Sequence, residues 1–234
     1  MNKKIATAGI LATMTCAATA YCWATKNEST GETVEVSTSV SIQQTKTVAN
    51  AAKEKALVVY FSVPETEGVD ASSGASRMVN NGKVLGNTQY VATVIKEAVG
   101  ADLFEIKTAH QYPGSHKALI DAAKVENEKN ARPKLATHIK NLKSYDIIFV
   151  GFPNWWYDMP MPLYTFFDEY DFSGKTIIPF CTHGGSRFSD AIKTIRSMEK
   201  KATVLDGYAI SRDRIADSKE SIHKWLKRIG MTND

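Results

Sequence analysis

From residue 55 onward the chain alternates short β-rich apolar runs with amphipathic stretches, and that alternation leaves few folds open. Residues 56–61, 101–107, 146–151, 176–181 and 203–210 have the branched and aromatic content of strands. Residues 87–99, 116–129, 162–170, 188–200 and 218–229 space their apolar side chains as helices do. The first, third and fourth runs are apolar almost without a break, as strands become when helices cover both faces of a sheet. No internal repeat is visible. The pattern predicts an α/β fold, a doubly wound five-stranded parallel sheet with helices on both faces. Ligands of such folds bind beyond the carboxyl ends of the strands, at the topological switch point.

The residues ahead of this unit are of another kind. Lys3 and Lys4 precede a weakly apolar stretch over residues 5–20 and then small residues, the layout of a secretory signal, with cleavage sites after Ala20 or Ala24. Thr7, Thr13, Thr15 and Thr19 and the short length argue against an uncleaved membrane anchor. The residues before Cys16 and Cys22 fit a lipoprotein signal poorly. Residues 25–54 are rich in Ser, Thr, Glu, Gln and Lys and read as a flexible tether. The expected organisation is a signal over 1–24, a linker over 25–54 and one domain over 55–234, exported to the periplasm, the cell envelope or the exterior. Without a twin-arginine pair, the general route for unfolded chains is expected, with any cofactor taken up outside the cytoplasm.

Charge and cysteine content narrow the function. Removing residues 1–24 takes away two lysines and no acid, leaving 27 basic against 25 acidic side chains. Such balance speaks against a nucleic-acid binder, which concentrates basic charge on one surface. Only Cys181 remains in the mature chain, so no internal disulfide forms; a cysteine inside a strand reads as a small core residue.

Three strand ends carry unusual residues. After the first come Ser62, a polar excursion over residues 63–85, and Gly86-Asn87-Thr88 opening a helix. Amides at a helix start, flanked by hydroxyl and amide side chains, can hold a phosphate, although the same residues also serve as a plain helix cap. After the third comes Gly151-Phe152-Pro153-Asn154-Trp155-Trp156-Tyr157-Asp158. Adjacent residues of an extended chain face opposite ways, so two tandem indoles cannot both point inward and one is offered to a planar ring. After the fourth comes Thr182-His183-Gly184-Gly185-Ser186, whose glycines permit close backbone approach.

These segments, in this order, resemble the flavodoxin family, and within it bacterial proteins with a tryptophan pair after the third strand. The resemblance covers about residues 55–230 and includes Val58-Val59-Tyr60-Phe61-Ser62 and Phe172-Ser173-Gly174-Lys175-Thr176. It implies the strand order 2-1-3-4-5, a noncovalently bound FMN and no metal. Ser62, Asn87 and Thr88 match the phosphate-binding positions; Pro153, Asn154, Trp155 and Trp156 match the loop edging the isoalloxazine; Thr182, His183, Gly184 and Gly185 match the second ring-contacting loop. His183 is a weak candidate for protonating a substrate, a loop or flavin hydrogen bond being its simpler role. The chain departs from the family pattern in the length of the 63–85 excursion, which reads as a lid or an inert surface loop. It departs again at Tyr157, where many relatives place glycine: positive φ is costly for tyrosine, so the one-electron-reduced flavin is expected to be poorly stabilised.

Two functions follow: a redox carrier for protein partners, or an FMN-dependent reductase acting on nicotinamide or quinone substrates. The phosphorelay receiver shares the sheet but needs acids beside the first strand, where Tyr60-Phe61-Ser62 stand. A serine hydrolase needs a Gly-x-Ser-x-Gly elbow, which does not occur. A purely adhesive domain would require a decayed cofactor site.

Overall fold

The computed structural model describes residues 55–66 and 76–232; the expected signal and linker, with Cys16 and Cys22, lie outside the described residues. Its elements in chain order are β1 (Ala56–Tyr60), β2 (Arg77–Asn80), β3 (Lys83–Gly86), α1 (Asn87–Val99), β4 (Asp102–Glu105), α2 (His116–Glu128), β5 (Ile147–Pro153), α3 (Met161–Glu169), β6 (Thr176–His183), α4 (Ala191–Met198), β7 (Thr203–Val204), β8 (Tyr208–Ser211) and α5 (Ser218–Arg228). The main sheet runs β4-β1-β5-β6-β7, with β8 also paired to β6, and every pairing in it is parallel. This is the predicted order.

Strand alternation divides the core into two layers. Val58, Tyr60, Phe149 and Phe180 face one side, where they pack with Val91 and Ile95 of α1 and Ile222, Trp225 and Leu226 of α5. Leu57, Val59, Phe61, Ile148, Val150 and Phe152 face the other, against Leu163, Phe166 and Phe167 of α3 and Ala191 and Ile195 of α4. Gly151 is the one place in β5 where no side chain fits, since a Cβ there would lie 2.0 Å from the Phe180 ring.

Two elements differ from expectation. The single strand predicted over 203–210 is broken: Thr176 and Ile177 pair with Thr203 and Val204, whereas Phe180 pairs with Tyr208, so one extra residue enters the edge. The cause is local. Pro179 has no N–H for the ladder, and opposite it Gly207 adopts φ 73°, where a Cβ would come within 2.1 Å of the Pro179 carbonyl oxygen. The result is a β-bulge. The excursion over 63–85 is not featureless either, because β2 and β3 pair as an antiparallel hairpin. Its turn, Asn81-Gly82, has φ of 49° and 74°, the left-handed pair that a two-residue hairpin demands. Residues 67–75 of the excursion lie outside the described residues.

At the end of α4, Glu199 is partly buried, and desolvation, then Asp171 and Asp168, push its carboxyl from 4.5 up to about 7. The folded protein therefore holds this proton more tightly than the unfolded chain, so stability falls as pH rises from about 4.5 through about 7. Denaturation midpoints measured across that window are expected to decline, and Glu199→Gln to flatten the decline; an unchanged slope would refute the assignment.

Candidate functional site

The carboxyl ends of β1, β5 and β6 lie side by side, with Tyr60 opposite Gly151 and Pro153 opposite Thr182. A cleft opens above them, lined by Ser62, Asn87, Thr88, Pro153, Asn154, Trp155, Thr182, His183 and Gly184. Nine of the eleven residues singled out by sequence thus line one cleft. Trp156 and Gly185 do not line it.

Close packing at Gly86 builds the first part of the wall. A Cβ on Gly86 would lie 2.0 Å from Ser62 Oγ, so only glycine lets the hydroxyl after β1 reach the start of α1. The hairpin is what returns the chain there, and it is held in place by the Asn87 amide, which donates to Ser76 O at 2.8 Å. The long excursion therefore leaves Ser62 and Asn87-Thr88 adjacent in space. Gln89 Oε1 accepts from the Gly86 amide at 3.2 Å, capping a thirteen-residue helix whose positive end points into the cleft. Thr88 Oγ1 and Thr182 Oγ1 share a buried hydrogen bond of 2.8 Å, tying the helix to the end of β6.

The aromatic wall rests on a strained turn. Trp155 and Asp158 exchange backbone hydrogen bonds of 3.0 and 3.1 Å around Trp156 and Tyr157, which adopt φ of 51° and 66°. Left-handed backbone at two non-glycine residues costs about 1–2 kcal/mol each. Several bonds of about 1 kcal/mol each offset it: the Asp190 amide donates to Tyr157 O at 3.1 Å, the Trp156 indole to Ile120 O at 3.0 Å, and Asn154 Nδ2 to Arg187 O at 2.9 Å. Trp155 is turned inward, edge-on to Phe61 at 5.5 Å and Tyr112 at 5.3 Å. Trp156 is spent on the link to α2. The pair divides because Trp156 sits in a left-handed turn and not in an extended chain, so the alternation argument does not apply, and it is the inward-packed Trp155 that lines the cleft.

On the third loop the Gly185 amide donates to His183 Nδ1 at 3.0 Å. Its partial burial, and then the charge of Arg187, depress the imidazole below 6.5. Because Nδ1 accepts from the Gly185 amide, a neutral His183 ring carries its proton on Nε2. Cys181 is fully buried, and burial pushes its thiol far up.

The cleft also holds residues that sequence reading missed: Glu65, Ser76, His116, Leu119, Ile120 and Arg212. Glu65 and His116 meet at 2.6 Å. The buried Nε of Arg212 makes no hydrogen bond and stands 3.8 Å from Asp213 Oδ1, while its guanidinium packs 3.7 Å from the Cβ position of Gly184. These residues come from the excursion, α2 and the segment after β8, where no local motif marks them as part of a site.

Two outcomes follow from this geometry. Tyr157→Gly relieves left-handed strain at the cost of some unfolded-state entropy, so chemical denaturation is expected to show a gain of about 0.5–1 kcal/mol; a loss would mean that the tyrosine ring anchors the turn. His183, followed by NMR, is expected to titrate below 6.5, and a midpoint above that value would contradict the burial argument.

Comparison with known proteins agrees with the architecture. The family described as Flavodoxin matches residues 76–229. No curated protein matches the chain. Among solved structures, a protein from Bacteroides uniformis ATCC 8492 described as a flavoprotein is 30% identical, with a TM-score of 0.59, and the match covers 74% of this chain and 98% of that one. Another so described, from Bacteroides eggerthii DSM 20697, is 26% identical with a TM-score of 0.58, and covers 75% of this chain and 98% of its own. With the family pattern spanning most of the chain and its strand ends converging on one cleft, this protein belongs to the flavodoxin family.

Proposed function

We propose that the protein is an FMN-binding redox protein that passes electrons through the flavin held in this cleft. The observation that carries the reading is the convergence of a helix start, an inward indole and a glycine loop on one cleft in a chain of this family. The cofactor is FMN, and the residues present fit it. Ser62, Asn87 and Thr88 offer hydroxyl and amide groups at a positive helix end, the proper surroundings for a phosphate, while Arg212 lies beside Gly184 on the loop after β6. Pro153, Asn154 and Trp155 on one side, with Thr182, His183 and Gly184 on the other, edge the isoalloxazine; Trp156 and Gly185 act behind them.

When bound, FMN supplies hydride or electron transfer. The chain's share is to bind and orient it. Neutral His183 keeps its loop in place and places no added positive charge there, and the strained turn holds Trp155 where a ring can lie. A redox partner protein or a small reducible substrate docks at the exposed flavin edge. A second reading, an FMN-dependent NAD(P)H or quinone-type reductase, is favoured by one observation: the Glu65 and His116 pair at the cleft could supply a proton. The localisation belongs to the same proposal. The chain is exported by its first 24 residues, crosses unfolded and takes up FMN outside the cytoplasm, and its only link to a membrane is a retained N-terminus. The mass of protein recovered outside the cytoplasm tests this, since full-length chain found in the cytoplasm alone would refute it.

Visible absorbance of the purified domain tests the main reading. A yellow protein with one FMN per chain is expected, and a sample that stays colourless after excess FMN refutes the proposal. Ser62→Ala is expected to weaken FMN by about 10- to 100-fold, the loss of one charge-assisted hydrogen bond, with riboflavin binding little changed. Equal losses for both ligands would remove Ser62 from the phosphate site.

A further inference from the structure

Glu65 is a charged residue in an unusual position. It is 4% exposed, and its carboxylate meets His116 Nδ1 at 2.6 Å, from a different element, on the wall of the cleft. The backbone around it is already fastened: the Glu65 amide donates to Ser76 Oγ at 2.9 Å, its carbonyl accepts from Arg77 Nη1 at 3.1 Å, and the Thr66 amide donates to Gly114 O at 3.0 Å. A further tether is not what the pair adds, since those three bonds hold the segment without it. What the carboxylate does accomplish is to fix one ring nitrogen. With Nδ1–H committed to Glu65, Nε2 is the atom left to exchange a proton with a guest, and the His116 side chain is 33% exposed. Leu119 and Ile120, on the same helix, give that part of the cleft an apolar wall.

Resting on the FMN reading above, we infer that Glu65 and His116 form a proton-delivering pair for acceptors that must gain a proton with their electrons, the quinone class in particular. His116 is the proton donor and Glu65 its positioning residue. Bound FMN would relay to one quinone oxygen, as a hydride, the two electrons and one proton given up by a nicotinamide-class donor. The electron pair displaced through the quinone ring is neutralised at the second oxygen by the Nε2 proton of protonated His116. The hydroquinone leaves, the imidazole remains neutral, and one solvent proton restores it. A one-electron acceptor that takes up no proton, such as ferricyanide, has no use for the pair.

That difference is the test. With FMN-loaded protein and reduced nicotinamide, the ratio of the benzoquinone rate to the ferricyanide rate is expected to fall about 100-fold in His116→Gln, the usual worth of a positioned acid. Taking a ratio cancels differences in flavin loading or folded fraction. An unchanged ratio overturns the inference, and so does a parent protein that reduces ferricyanide but not benzoquinone. A readout independent of turnover comes from nitrogen NMR of the apoprotein. The parent is expected to show His116 with a protonated Nδ1, and Glu65→Leu to lose that preference; an averaged ring in the parent overturns the positioning role. Failure to bind FMN would instead strike the proposed function.

Discussion

Parallel pairing of β5 with β1 on one side and β6 on the other brings three strand ends to one level, and everything at the cleft is hung from them. Phe61 extends that pairing by donating its amide to Gly151 O at 2.9 Å, and Asn154 does the same on the other side toward Thr182 O at 2.8 Å. These bonds set where Ser62, Trp155 and His183 emerge. The sheet itself is held by burial on both faces. Phe149, Phe152 and Phe180 are wholly enclosed, and each such side chain is worth about 1.5–3 kcal/mol relative to exposure. Stability is thus concentrated in the layer below the cleft, which leaves the loops above it free to adopt costly conformations.

Those loops use that freedom twice, in the Trp155 turn and in the loop after β6, where Arg187 and Ser189 adopt φ of 55° and 47°. The Trp155 turn carries two left-handed non-glycine residues, and sequence reading anticipated strain at Tyr157 from its side chain alone. The structure shows the strain already present at rest, with φ of 66° at Tyr157, and shared with Trp156. An argument that tyrosine resists positive φ therefore needs amending: the surrounding hydrogen bonds outweigh the resistance. The turn is pinned by Asp190, Ile120 and Arg187, through Tyr157 O, the Trp156 indole and the Asn154 side chain, rather than freed by glycine.

Much of the site was legible because its residues fall at strand ends, and strand ends follow from hydrophobic pattern. Ser62, Asn87, Thr88, Asn154, Trp155 and Thr182 needed only the position of the apolar runs. Glu65, His116 and Arg212 were not legible, since each lies in a segment whose path depends on tertiary contacts. The β2–β3 hairpin is a different case: Asn81-Gly82 between Val79 and Val84 is a strong local turn signal, passed over within a stretch read as polar. The bulge at Gly207 could be suspected only by pairing it with Pro179, which no local window contains.

By itself the sequence determined the alternating strands and helices, the two-faced core and the residue types at the strand ends, because alternation and periodicity are local properties that act along the chain; the strand order came from the family resemblance. Tertiary structure decided which indole turns inward, how an excursion of more than twenty residues returns Gly86 to within touching distance of Ser62, and that a buried carboxylate finds His116 fifty-one positions away. Those outcomes depend on steric fit and on the pairing of buried polar groups between distant segments, and neither is encoded at any one position.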